Sequence, residues 1–367
     1  MITIKAAIAN NPTEPFIFEN LEIENPRADE VLVRIVATGI CHTDIAVKEQ
    51  SVKLPLPMVV GHEGAGVVEM VGDGVSNIAV GDHVVLSGDS CGNCHQCHHG
   101  LPSYCEEFIE RNLTGFRVDG TSPLSKGGEL VRGRFVGQSS FATYCCVPSR
   151  GAIKVDKDYA LELLGPLGCG LTTGVGTVMN ALRPSAGSSI AIFGAGTVGL
   201  SAVMGAALSG CQQIIVIDPV ESRRDMAKNL GASHVLSASD DALVEEIISL
   251  TKGGADYSVE CSGVPDAVNS AVMCLTRPGW CAQVGATPAA TILPLDMDHV
   301  GFGRGIKGVV MGDANPQTFV PYLAKLHAQG KLPYDRFVKF YDFEDLNRAI
   351  SDSKDGEVIK PIITMSH

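Results

Sequence analysis

The 367-residue chain is awkward for one domain at roughly 150 residues each and comfortable for two; with 45% hydrophobic and 19% charged residues it excludes wholesale disorder. Forty-one acidic residues against 28 basic ones leave a formal charge of −13, which repels phosphate backbones and anionic lipid, so neither nucleic acid nor membrane is an expected partner. No apolar run reaches the roughly 20 residues of a bilayer span, and Met1-Ile2-Thr3-Ile4-Lys5 lacks the basic and apolar segments of a secretory leader; the expected location is the cytoplasm.

To about residue 150 the chain reads as short strands. Val31–Ala37, Gly64–Val71 and His83–Leu86 are rich in β-branched residues and lie beside turn-formers such as Gly72-Asp73-Gly74 and Gly81-Asp82. From about 171 the texture changes. Apolar runs at Ser189–Phe193, Ile214–Ile217, Tyr257–Glu260 and Cys281–Val284 alternate with helical patterns at Val198–Leu208 and Ser222–Leu230. That alternation predicts an α/β unit with a parallel sheet covered on both faces. From about 312 a helix is expected at Pro316–Gln329, a shorter one at Phe343–Ser351 and a strand at Ile359–Thr364. This tail is too small to fold alone, so it is expected to return to the first unit. The predicted division is 1–170, 171–311 and 312–367, with a hinge or rigid bridge near 165–175.

Three groups of residues carry chemistry. Cys91, Cys94, Cys97 and Cys105 fall within one short loop, and four thiolates at such spacing close a tetrahedral zinc site with no open position, a structural site. A redox CxxC pair and a nucleic-acid-binding zinc ribbon are the alternatives. Glu106, Glu107 and Glu110 beside the loop oppose the ribbon. His95, His98 and His99 are further possible ligands, though four cysteines already satisfy a metal.

Gly194-Ala195-Gly196-Thr197-Val198-Gly199 follows a predicted strand and opens a helix, with Asp218 ending the next strand. Glycine there permits a tight turn and close approach of a pyrophosphate to backbone amides, and the acid suits a ribose diol, so NAD is favoured over NADP. Arg223 and Arg224 complicate this, because a guanidinium can hold a 2′-phosphate. The third group is diffuse. Cys41 and His62 suit a catalytic zinc, which needs about three protein ligands and one open position, yet single residues of these types are more often packing. Spacing does not pick a third ligand; Cys169 sits where the two textures meet. Cys145, Cys146, Cys211, Cys261, Cys274 and Cys281 read as packing residues.

Taken together, the Gly61-His62-Glu63 segment, the four-cysteine loop, Gly168-Cys169-Gly170 and the glycine turn resemble the zinc-dependent medium-chain alcohol dehydrogenases over essentially the whole chain. The resemblance implies a Rossmann doubly wound parallel sheet domain beside a β-rich GroES-like catalytic domain, two zinc ions per chain, NAD as cofactor, a small alcohol or aldehyde as substrate, and a homodimer or homotetramer extended through the sheet edge near residues 290–310. It implies that Cys41, His62 and Cys169 ligate the catalytic zinc with Glu63 beside it, that Asp44 orients His62, and that Thr43 touches the substrate oxygen. It places His42, Thr173, Arg223 and Lys360 at the cofactor together with Gly194, Gly196, Thr197, Val198, Gly199 and Asp218. Within the family the tail Gly308–Asp313 and Phe337–Phe343 is most similar to aryl-alcohol dehydrogenases of the benzyl alcohol type, with allylic terpene alcohol (geraniol-type) dehydrogenases, or a catalytically silent homologue, as alternatives. Two departures stand out: Ala46 and Val47 occupy the region where liver-type enzymes end their proton relay on histidine, and Ser87-Gly88 stand where those enzymes carry a bulky aromatic, which predicts a roomier pocket.

Overall fold

Glu30–Gly39 is an almost unbroken aliphatic and β-branched run, and runs of this kind settle where both edges of a strand are paired. In the computed structural model, which describes residues 1–240 and 242–366, it is the spine of the first of two structural units. One edge pairs antiparallel with Glu63–Val71; the other takes Tyr144–Pro148 along its first half and Lys360–Thr364 along its second. His83–Leu86, Ala152–Val155 and Val338–Asp342 complete a seven-stranded sheet. A five-stranded sheet built on Ile2–Ala9 and Ile17–Ile23 shares its core, where Phe16 and Phe141 meet edge to face at 5.8 Å. The tail thus contributes two strands to the first unit.

The second unit is a six-stranded parallel sheet in the order His234–Leu236, Gln213–Ile217, Ser189–Phe193, Ala255–Glu260, Leu275–Gln283, Arg304–Gly308. The order reverses at Ser189–Phe193, as in the Rossmann fold, and that strand is buried at all five positions. The helix Thr197–Leu208 is buried over Gly199–Ala206, which its small residues allow. Several boundaries differ from expectation; the short tail helix, for one, runs Leu346–Lys354 after a turn at Phe343–Asp345. The strand expected at Cys281–Val284 begins at Leu275, because the register shift opposite Ala255–Tyr257 takes up the Pro278-Gly279 irregularity that reads as a break. The second unit comprises Gly170–Ala314 and the short segment Lys331–Pro333. Residues 309–314 stay with it because Gly312 packs on Gly176 and its carbonyl accepts from Asn180 at 3.1 Å.

A buried charge cluster ties the first unit together away from either sheet edge. Glu30 accepts Arg117 Nε at 2.7 Å, Arg117 Nη2 at 2.8 Å and Arg134 Nη1 at 2.7 Å, and is 3% exposed. Burial alone would raise its pKa, but the two guanidinium groups outweigh burial and lower it to about 2. A carboxylate held low stabilises the fold fully above its unfolded pKa and loses that contribution as pH falls through the folded value. Glu30→Gln removes the charge that both guanidinium groups share, leaving Arg117 with Glu24 and Arg134 with Asp89, and is expected to cost at most about 3–5 kcal/mol at pH 7. Denaturant midpoints should show the gap from wild type closing as pH drops from about 4.5 toward 2; a gap independent of pH contradicts the assignment.

Candidate active site and metal centres

Cys41 caps the short helix His42–Lys48, which brings Asp44 one turn back beneath it. The buried Asp44 carboxylate accepts Cys41 N at 3.0 Å, Gly61 N at 2.9 Å and His62 Nδ1 at 2.8 Å. With Nδ1 engaged, the imidazole presents Nε2 to Cys169 Sγ, 3.3 Å away. Cys41, His62 and Cys169 have their donor atoms within 4.8 Å of one another. For ligands about 2.3 Å (sulfur) and 2.1 Å (nitrogen) from zinc, a tetrahedral edge is about 3.6 Å. Two sulfurs and one imidazole leave one tetrahedral position open, so the donor set fits a catalytic zinc. Phe135 packs edge to face on the His62 ring at 5.5 Å.

Electrostatics favour metal binding here. Burial works against a charged His62, but the Asp44 carboxylate and the Cys41 sulfur outweigh it and raise the ring's basicity, which strengthens it as a donor to a metal as much as to a proton. The hydrogen bond from Cys169, with His62 adding to it, holds the Cys41 thiol well below its ordinary range, and the same contact together with burial pushes Cys169 up.

Glu63 and Lys360 form a buried pair beside the cluster. Lys360 Nζ donates to Glu63 Oε2 at 2.8 Å and to the Ile40 carbonyl at 2.8 Å, and is 1% exposed. Its ammonium pairs with that carboxylate and carbonyl, and Glu63 is not among the donors of the three-ligand cluster. Burial pushes Glu63 up against the pull of Lys360; for Lys360 burial is outweighed by Glu63 and the Cys41 sulfur, which keep the ammonium charged. Gly39 makes the pair possible, since a Cβ there would lie 2.0 Å from Glu63 Oε2. The Ser87 hydroxyl donates to Gly168 O at 2.9 Å, beside Cys169. Thr43 is exposed, with Oγ1 3.7 Å from Cys41 Sγ, and His42 is exposed next to it.

Cys91, Cys94, Cys97 and Cys105 form a second cluster. Cys91 and Cys97 sulfurs are 3.9 Å apart, Cys94 and Cys105 sulfurs 4.0 Å, against about 3.8 Å for the edge of a Zn–S tetrahedron. Cys94 N and Cys91 N each donate to a cluster sulfur at 3.3 Å, and backbone donors draw the Cys94 thiol down to about 6. His95 and His99 stack on each other at 4.2 Å, and no histidine joins the cluster among the described residues. A cleft of about 620 Å³ borders Cys91, but its charges pair internally, Arg27 with Asp119 and Arg117 with Glu30, and it touches none of Cys41, His62 and Cys169.

In the second unit Gly194 has φ +92 and donates to Ile217 O, and a Cβ on Gly199 would lie 1.8 Å from Gly194 O. A Cβ on Gly196 would meet nothing within 4 Å. Packing therefore explains the first and third glycines and not the second, which leaves backbone open to a ligand, as a dinucleotide requires. Asp218 uses one lone pair of each oxygen on Ala195 N and Val220 N, at 2.7 and 2.8 Å. Arg224 donates to the Asp218 and Pro219 carbonyls, whereas the buried Arg223 Nε has no partner among the described residues. Thr197 and Val198 open the helix after the turn. The Thr173 hydroxyl lies 3.8 Å from Met311 sulfur.

The family described as the alcohol dehydrogenase GroES-like domain matches residues 27–157, and that of the zinc-binding dehydrogenases matches 197–328. The chain belongs to the zinc-dependent medium-chain alcohol dehydrogenase family. It is 41% identical to a geraniol dehydrogenase of Castellaniella defragrans over 99% of this chain and 98% of that one. Among solved structures it is similar to an alcohol dehydrogenase zinc-binding domain protein of Burkholderia ambifaria (TM-score 0.98, 46% identity) and to benzyl alcohol dehydrogenase of Acinetobacter calcoaceticus (TM-score 0.96, 43% identity), each covering both chains fully.

Gln138, whose side chain touches the His62 segment, gives no sequence signal, and neither does the Glu63–Lys360 pair. Lys360→Met is expected to destabilise the fold by about 3 kcal/mol, because a buried carboxylate loses its cation and must take up a proton, while KM for NAD stays within about twofold, within the noise of a factor worth well under 1 kcal/mol. Denaturation midpoints and cofactor titrations check this; a raised KM with unchanged stability would restore Lys360 to the cofactor site.

Proposed function

We propose that this zinc alcohol dehydrogenase oxidises a primary aryl alcohol of the benzyl alcohol type to its aldehyde, with NAD as hydride acceptor. The observation that carries the reading is the full-length similarity to benzyl alcohol dehydrogenase, combined with the convergence of Cys41, His62 and Cys169. An allylic terpene alcohol is the second reading, favoured by the geraniol dehydrogenase relative. Both are conjugated primary alcohols, and conjugation stabilises positive character on the carbon that gives up hydride.

When bound, zinc supplies Lewis acidity that lowers the pKa of an alcohol hydroxyl, and NAD accepts the hydride. Cys41, His62 and Cys169 would hold that ion. Asp44 fixes the imidazole so that Nε2 is the ligating atom. Thr43 takes the hydroxyl proton and passes it on; its exposed hydroxyl, 3.7 Å from Cys41 Sγ, supports this role. Ala46 and Val47 are buried and carry no group that can take a proton, so neither extends a relay from Thr43. His42, Thr173, Arg223 and the Gly194–Gly199 turn position the cofactor. The two acceptor oxygens of Asp218 keep lone pairs for a ribose diol and repel a 2′-phosphate. The Cys91–Cys105 cluster holds a second, structural zinc. Homo-oligomerisation is proposed through the outer edge of Arg304–Gly308, near which Ile292 and Phe302 are 89% and 52% exposed.

Metal analysis should give two zincs per chain. Absorbance at 340 nm with benzyl alcohol, cinnamyl alcohol, geraniol and ethanol, each with NAD and NADP, should show the conjugated alcohols ahead of ethanol and NAD ahead of NADP; a preference for ethanol overturns the substrate reading. Thr43→Val should lose about 10²–10⁴ in kcat, and full turnover would remove Thr43 from the proton path. Asp218→Asn should shift the NAD/NADP preference toward NADP by about tenfold or more, since a like-charge repulsion is removed; an unchanged ratio would place selectivity elsewhere.

A further inference from the structure

His62 stands one residue ahead of the strand Glu63–Val71, and within that strand the adjacent His83–Leu86 pairs with Ala65–Val67 alone. The ligand-bearing stretch therefore lacks a strand partner on that edge. A coil at residues 135–141 supplies one. Ser139 Oγ donates to Val59 O at 2.6 Å, Phe141 N to Val60 O at 3.0 Å, Ser140 N to Gly61 O at 2.8 Å and Gln138 Nε2 to His62 O at 2.9 Å, and Gly64 N donates to Gln138 Oε1 at 3.1 Å.

The coil adopts a costly shape to do this. Val136, Gly137 and Ser139 have φ of 49, 71 and 58, and a β-branched residue in the left-handed region is a genuine outlier. Strain of this kind persists where surrounding contacts over-determine it, and it gathers at functional sites. Phe135 of the same coil packs against the His62 ring. Gln138 is 1% exposed, and its carboxamide offers a donor and an acceptor as a peptide group does. It acts as a strand one residue long.

We propose that Gln138 is a positioning residue for the metal-ligating imidazole: it fixes the His62 main chain from one side while Asp44 fixes the ring through Nδ1. The inference rests on the reading of Cys41, His62 and Cys169 as zinc ligands. Its test is zinc release to a chromogenic chelator from the full-length wild type, Gln138→Met and Gln138→Glu. The Met side chain keeps the volume and loses both hydrogen bonds; the ionised Glu keeps an acceptor for Gly64 N but cannot donate to His62 O. In both variants one zinc per chain should leave about 10–100-fold faster, as for loss of groups that orient a ligand, in step with loss of activity, while the second, in the four-cysteine loop, leaves at the wild-type rate. Cobalt at the faster site should show a shifted visible spectrum. Equal acceleration of both ions, failure of both variants to fold, or release at the wild-type rate from both sites would each overturn the positioning role. A wild type holding a single zinc would instead sink the metal reading of Cys41, His62 and Cys169.

Discussion

One carboxylate organises the candidate active site. Asp44 gathers the N-cap amide of its own helix, the amide of Gly61 and the Nδ1 of His62, so a single buried charge fixes two of the three proposed metal ligands relative to each other. A carboxylate suits this place better than a carboxamide, because all three partners are donors and an amide nitrogen turned toward any of them would repel it. The same charge makes the imidazole a better electron donor. Geometry and basicity thus come from one group, and neither is adjustable without the other.

The rest of the first unit extends this logic through buried ion pairs. Lys360 reaches Glu63 from the last strand, and Arg117 and Arg134 reach Glu30 from loops on the far side of the chain. An apolar filling of similar volume would stabilise the fold as well or better. What the charges add is direction: each guanidinium or ammonium has a small set of allowed partners, so the strand carrying Lys360 has one register in which its charge is met. The C-terminal segment is therefore part of the site's construction even though none of its residues belongs to the three-ligand cluster.

What the sequence made legible follows from distance along the chain. The four-cysteine loop and the glycine turn are local patterns, readable because ligand spacing and turn geometry are fixed by neighbouring residues. Cys41 and His62 were ambiguous on spacing and became readable only through a family resemblance. Lys360 was assigned to the cofactor by that resemblance, and its pairing with Glu63 could not be foreseen, since it depends on a strand order that places residue 360 beside residue 40. The contact of the Ser87 hydroxyl with Gly168 has no local signal either, because it depends on the approach of a distant segment. Gln138 had no signal at all, because its role is set by a coil whose left-handed residues include a valine, the type least suggestive of such a conformation.

The two metal clusters differ in the same way, and the difference bears on how the protein is built. Cys91 to Cys105 is one short loop, so bringing its four sulfurs together costs little loop-closure entropy, and backbone amides already point at them. Such a site can gather its ligands before the surrounding sheet is complete. Cys41, His62 and Cys169 come from a helix cap, the lead-in to a strand and the last residue of the first unit's long opening segment, and they converge only once Glu63–Val71 is paired with Glu30–Gly39 and the coil at 135–141 has closed on residues 59–64. Metal binding at the first site can drive local structure; at the second it can only follow structure. That order suits a catalytic centre, because a ligand set assembled by the fold can hold one coordination position open, whereas a flexible set would close around the ion.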